Sequence, residues 1–316
     1  MVMRTILTAA LPLLSAFTAT AAEPILYGDM NSWITRNIKE SRMLGGDNTQ
    51  LYEIGPENTI DGNQPYTPQG GSPWATSNVM ANVMGITKTS NAVFPAERQP
   101  GDKCARLTTM IETCKVLGMV DVNVLVSGSI FLGRMFEPIR STSNPYSKME
   151  MGIPFSKRPA TLRFDYKVVN PGTGMLTRSS GSSTKTYPGQ DNAEVFIILQ
   201  RRWEDADGNL YAKRVGTGRE RFSHSSGWIN GHSIPVWYGD ITSHPGYQSY
   251  MGLIPTDRSY YARNSKGKMV PVKEVGWDDP DATPTHLLIM ASAGCGTAYV
   301  GTVGMELWID NLALTY

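Results

Sequence analysis

The residues of this chain best equipped for chemistry are its aromatics. Flat apolar ring faces set beside rigid polar side chains are what a hydroxyl-rich ring such as a sugar needs for recognition. Trp74, Trp203, Trp228, Trp237 and Trp277 are the candidates, with Tyr238, and Asn78 lies close to Trp74. Trp203 follows Arg201 and Arg202 at the end of a strand pattern, where a loop rim can hold a ligand. For any single tryptophan the competing reading is a core side chain. Among Trp228, Trp237 and Trp277, which sit in loop-rich sequence, at least one is expected to be exposed.

Bond-breaking signatures are absent. Glycoside hydrolysis needs two carboxyl groups, about 5–5.5 Å apart for retention and about 6.5–9.5 Å for inversion. No Glu-x-Asp-x-x-Glu pattern occurs. Asp191, Glu194 and Glu204 flank one apolar strand without tight spacing, while Asp205, Asp207 and Asp278–Asp281 read as turns. A lyase needs a Tyr or Lys base beside a charge-neutralising Arg. Arg158, Tyr166 and Lys167 are near one another, but on a strand that also serves the fold. His224, His232, His244 and His286 show no zinc spacing and read as surface or hydrogen-bonded. There is no nucleophile elbow and no phosphate loop. The three cysteines, Cys104, Cys114 and Cys295, read either as small buried hydrophobes or as a Cys104–Cys114 bridge across a hairpin with one thiol left over.

The elements that must position these residues are strands. Leu162, Phe164, Tyr166 and Val168 alternate with Thr161, Arg163, Asp165 and Lys167, which predicts a strand with one wet face. Ala193–Gln200 is apolar on both faces and predicts a central strand. Val120–Phe131, His286–Ala291 and Met305–Asp310 complete the clear set; Trp308 is out of phase with Leu307 and Ile309 and faces the other way. Asn170–Asp191 reads as an exposed hairpin loop and Asp205–Asn209 as a turn. Gly216–Pro284 is long, aromatic and irregular, the kind of stretch that is often functional. Many short strands and almost no helical period predict an all-β chain: a two-sheet β-sandwich or jelly roll with long loops.

Residues 1–22 open with Arg4, an apolar run from Thr5 to Phe17 and small residues to Ala22, the order of a secretory signal peptide. The run is too short to span a bilayer. One β domain over residues 23–316 is expected, with 216–284 as a candidate loop insertion. The formal net charge of +1 gives no bulk attraction to nucleic acid or to an acidic membrane. The chain is therefore expected to be exported, to periplasm, cell surface or medium.

Four stretches resemble one family. Gly28-Asp-Met-Asn-Ser-Trp33 and Trp74-Ala-Thr-Ser-Asn78 are followed by Gly152-Ile-Pro-Phe-Ser-Lys-Arg-Pro159, which enters the alternating strand, and the chain ends on Leu307-Trp-Ile-Asp-Asn-Leu-Ala-Leu-Thr-Tyr316. In that order the chain is similar to the carbohydrate metabolism domain family of exported Bacteroidetes proteins. The resemblance implies a jelly roll akin to carbohydrate-binding modules and a role with glycans outside the cytoplasm. It supplies no agreed catalytic residues. It also implies a structural calcium shared by an early acidic residue and an Asp on the last strand, here Asp29 and Asp310 near Asn311; the competing reading is an Asp-Asn turn with a solvated carboxylate. On this footing the leading expectation is an exported glycan-binding module, its partner a glycan or oligosaccharide. The alternatives are a glycan-active hydrolase or lyase, and a cell-surface assembly or adhesion component with protein partners.

Overall fold

The computed structural model describes residues 22–66, 71–83, 85–116, 120–141 and 143–316. Residues 1–21 of the expected signal peptide lie outside the described residues. The described chain is almost wholly β, with four short 3-10 turns. No described helix is long and apolar enough to cross a membrane.

Two ten-stranded sheets face each other. The first runs Thr184–Pro188, Met175–Gly181, Val120–Ser127, Asp102–Val116, Glu306–Thr315, Thr161–Val169 and Ile229–Pro235, with Val93–Gln99, Glu23–Pro24 and Val300–Gly301 added at its flanks. The second centres on Ala193–Glu204, held between Leu210–Phe222 and His286–Ser292. Its path then returns on itself: Met149–Met151 pairs with both Tyr261–Arg263 and Ser129–Met135, and Ser129–Met135 also pairs with His286–Ser292.

The alternating strand behaves as its sequence demands. Leu162, Phe164, Tyr166 and Val168 are buried and join Leu107, Leu307 and Ile309 of the same sheet and Val195, Ile197, Leu199 and Ile289 of the other in one core. The central strand is buried along its whole apolar run because both faces are covered. Its odd-numbered residues enter that core, and Phe196 and Ile198 enter a second cluster with Phe131, Met151 and Leu288.

Three sequence readings are refined. The run Val120–Phe131 is two strands, split at Gly128, where the chain passes from the first sheet to the second; a Cβ there would meet the Ala92 carbonyl at 2.1 Å. The stretch read as the loop Asn170–Asp191 holds two paired strands. The candidate insertion 216–284 contributes strands to both sheets, from Leu210–Phe222 through Ile229–Pro235 to Met269–Trp277.

A third, three-stranded sheet of Trp33–Lys39, Asn48–Ile54 and Asn58–Asp61 packs near the start of the chain. Its pin is Arg36, fully buried, which donates to Glu53 at 3.0 Å and to both oxygens of Glu137 at 3.0 and 2.5 Å. Glu137 also accepts the Tyr66 and Met80 backbone N–H groups at 3.0 and 2.7 Å. A buried charge must be paired and fully hydrogen-bonded to be tolerated, and here it is.

Candidate functional site

A cleft of about 1360 Å³ is formed among the described residues. It opens over the face of the second sheet that points away from the main core. Its floor is the edge of the second apolar cluster, against which Met149, Ile254, Tyr260 and Met290 pack. One wall is the segment 249–261; another comes from the strand Val120–Ser127 and the turn 294–299.

The polar set on the floor follows from strand register. Glu194 lies opposite Arg221 and Phe196 opposite Arg219, so all four side chains share one face. Arg219 and Arg221 close on the single carboxylate of Glu194, at 2.7 and 2.6 Å. Glu194 is buried, and two guanidinium groups over one carboxylate leave a cationic surplus. Arg221 lies under the Tyr250 ring at 4.4 Å and Arg219 under Phe196 at 5.3 Å. The Nε of Arg219 is buried with no hydrogen-bond partner among the described residues.

Around the rim, Arg140, Arg178 and Arg258 are exposed and make no ion pair among the described residues. Tyrosines are interleaved with them: Tyr146, Tyr250, Tyr260, Tyr261 and Tyr299 line the same cleft. Burial raises the Tyr260 and Tyr146 hydroxyls above the usual tyrosine range, against the pull of Arg219 on the first and Arg258 on the second. Both remain neutral donors at neutral pH. Glu112, also in the lining, is raised by burial despite accepting the Asn91 N–H at 3.1 Å.

None of the seven residues expected to hold a ligand lines this cleft. Trp74 is a core residue, 1% exposed, with its indole N–H on the Leu26 carbonyl at 2.9 Å. Asn78 is fully buried; it donates to the Tyr52 and Val93 carbonyls and accepts from the Ala92 and Val93 N–H groups. Both are corrected from ligand-binding candidates to structural residues, because a β-sheet interior must satisfy each polar group it buries. Trp228 is half-buried beneath Arg98, 4.5 Å away, and Trp237 is stacked on His244 at 3.8 Å. Trp277 is half-buried near Arg214 at 5.6 Å, and Tyr238 donates its hydroxyl to the Pro159 carbonyl at 2.7 Å. Trp203 stands out, 43% exposed and stacked on Tyr211 at 5.8 Å.

The carboxylates expected to share calcium do otherwise. Asp310 is fully buried and accepts Arg98 at 2.7 Å; the same guanidinium nitrogen donates to Asp165 at 2.8 Å. Burial pushes Asp310 up to about 6 against the pull of Arg98. A guanidinium thus takes the oxygens that a cation would need, and Asp29 is exposed on a turn. Among the described residues no cluster of three or more His, Cys, Asp or Glu side chains is arranged to hold a metal ion. The cysteine bridge is likewise overturned: Cys104 and Cys114 lie on one strand, Asp102–Val116, and all three thiols are free. At roughly 3.3 Å per residue they are far out of bonding range.

The chain carried one legible hint of the cleft, the alternation Arg219-Glu-Arg221 within a strand, which puts two guanidinium groups on one face. The partner Glu194 and the roof 249–261 are contributed by pairing and chain return, which leave no local signature.

A family model described as putative carbohydrate metabolism domain matches residues 46–225. Among solved structures, the chain is similar to a putative glycoside hydrolase from Bacteroides thetaiotaomicron VPI-5482, at 16% identity over 86% of this chain and 76% of that one, with a TM-score of 0.43. It is similar also to a putative glycoside hydrolase from Bacteroides vulgatus ATCC 8482, at 14% identity over 95% and 96% of the two chains, with a TM-score of 0.42. No curated protein matches.

Proposed function

The chain belongs to the putative carbohydrate metabolism domain family, and on that premise we propose that it is an exported glycan-binding module whose cleft holds an acidic glycan chain. The observation behind this reading is the lining of the cleft. Neutral tyrosine rings supply faces and hydroxyl donors, and Arg140, Arg178 and Arg258 supply planar donors with no carboxylate of their own among the described residues. Guanidinium forks match carboxylate and sulfate groups geometrically. The cleft is of a size to bury several sugar rings. Export is supported by the charged, apolar and small-residue order of residues 1–22.

The test is native affinity electrophoresis of the mature protein through polygalacturonate and chondroitin sulfate gels. Retardation by at least one, abolished in an Arg178→Ala/Arg258→Ala double variant of unchanged melting temperature, is the expected result. Equal mobility in every acidic gel would sink the reading.

One observation favours hydrolysis as a second reading. Glu112 is held above the usual carboxylate range by burial and lines the same cleft as Glu194. An upward shift is the direction that favours a general acid. New reducing ends in the same mixtures, lost in Glu112→Gln, would move the assignment from binding to hydrolysis.

A further inference from the structure

A second concavity, of about 820 Å³, lies where the three-stranded sheet meets the strand Val93–Gln99 of the first large sheet. It shares no lining residue with the cleft. Its chemistry is different. Four side-chain amides, Asn37, Asn48, Gln50 and Asn91, dominate the polar lining, and the one cation, Lys39, is balanced by one carboxylate, Asp61.

Three of the amides, Asn37, Gln50 and Asn91, are linked before any ligand arrives. The Tyr52 hydroxyl donates to Gln50 Oε1 at 3.0 Å, Gln50 Nε2 donates to Asn37 Oδ1 at 3.2 Å, and Asn37 Nδ2 donates to Asp61 at 2.7 Å. Asn91 is held by its Nδ2 on the Gln50 carbonyl at 2.7 Å. Asn37, Gln50 and Asn91 are thereby fixed in orientation, with donor and acceptor capacity left over. Asn91 Oδ1 is the exception within this order: it is buried and has no hydrogen-bond partner among the described residues. A buried acceptor left unmade is costly and marks a place where a hydroxyl donor is wanted. Beside it, Tyr52 and Phe94 meet at 6.2 Å and 58°, an apolar corner bridging the two sheets.

We propose that this groove is a separate binding site for a neutral, hydroxyl-rich sugar, a hexose or pentose unit. The ring's apolar face packs into the Tyr52–Phe94 corner, and its hydroxyls exchange donors and acceptors with the amides, one of them donating to Asn91 Oδ1. Hydroxyls both donate and accept, as amides do, so the two lists are complementary without any charge. An acidic sugar gains nothing here, because Lys39 and Asp61 cancel.

The experiment is saturation-transfer difference NMR of the mature protein with the methyl glycosides of glucose, galactose, mannose, xylose and N-acetylglucosamine. Transfer to at least one glycoside is expected. Gln50→Ala and Phe94→Ala are each expected to weaken its binding about tenfold, and Tyr52→Phe somewhat less. Phe94 is half-buried, so Gln50→Ala, at an exposed position, is the decisive variant if Phe94→Ala fails to fold. The Arg178→Ala/Arg258→Ala variant should bind the glycoside as the parent does, which separates this site from the acidic-glycan cleft. No transfer from the parent protein to any of the five, transfer unchanged in Gln50→Ala, or loss in the double arginine variant would each overturn the proposal.

Discussion

Arg214 and Glu274 meet in a bidentate pair, Nε to Oε1 at 2.7 Å and Nη2 to Oε2 at 2.6 Å, with side chains only 1% and 0% exposed. They sit on parallel neighbours, Leu210–Phe222 and Met269–Trp277. The same carboxylate accepts Gln200 Nε2 at 2.6 Å and the Ile254 N–H at 2.7 Å. Burial alone would raise Glu274, yet the charge and hydrogen bonds of Arg214 outweigh it and hold the carboxyl below its usual range. Through Ile254 this pair ties the wall of the large cleft to the sheet beneath.

Breaking one partner of such a pair leaves an uncompensated buried charge. Glu274→Ala is expected to cost about 3–5 kcal/mol, read from the urea midpoint. Glu274→Gln, which keeps the shape and two acceptor contacts, should cost less. A loss under about 1 kcal/mol for the alanine variant would show that water reaches Arg214.

Glu53 makes stability depend on pH. Burial raises its carboxyl to about 8 although Arg36 pulls the other way. A folded-state value above the unfolded one means a contribution fully present below about 4.5 and lost as pH rises through about 8. The melting temperature of the parent should therefore fall between pH 6 and pH 9 by more than that of Glu53→Gln. Parallel curves for the two proteins would contradict the assignment.

The tryptophans should separate by burial rather than by type. Trp74→Ala removes a core side chain with a satisfied indole and should cost about 3–5 kcal/mol. Trp203→Ala loses one stacking contact with Tyr211 at an exposed site and should cost about 1 kcal/mol or less. Thermal or urea melts of the two variants check the contrast.

Thiol chemistry offers a simple count. With Cys104 and Cys114 on one strand and all thiols free, the unfolded protein should titrate three thiols without reductant. In the native protein Cys104 should stay silent, since it is fully buried and burial raises its thiol to about 12. Cys295, raised to about 11 by burial, should react slowly. A single thiol in the unfolded state would reveal a bridge.

If Arg140, Arg178 and Arg258 recognise acidic groups at the exposed rim, retardation in polygalacturonate gels should weaken steeply between about 0.05 and 0.5 M salt, because exposed charge attraction is screened over about a Debye length. Binding of a methyl glycoside in the amide groove should be nearly indifferent to the same change. Equal salt sensitivity at both sites would remove the distinction drawn between them.

What could be read before the fold was known follows from local periodicity. Leu162, Phe164, Tyr166 and Val168 face the core because side chains alternate along any strand, and the unbroken apolar run Val195–Leu199 is buried on both faces. The family was legible too, in short stretches such as Gly152–Pro159, and the family model agrees. The candidate sites were not. Tryptophan identity says how much area a residue can bury, not on which side of a sheet it ends, so Trp74 went inside and Trp203 outside.

The sequence by itself determined an all-β chain with an apolar central strand and membership of a carbohydrate-related family, because both rest on residue order within short windows. Only the tertiary structure decided which charges meet. Arg98 reaches Asp310 across 212 positions, Glu194 gains two arginines from the neighbouring strand, and Asn91 comes to lie beside Gln50, 41 positions away. Such contacts are set by strand register and sheet closure, which depend on the whole chain at once and leave no mark on the spacing of any one segment.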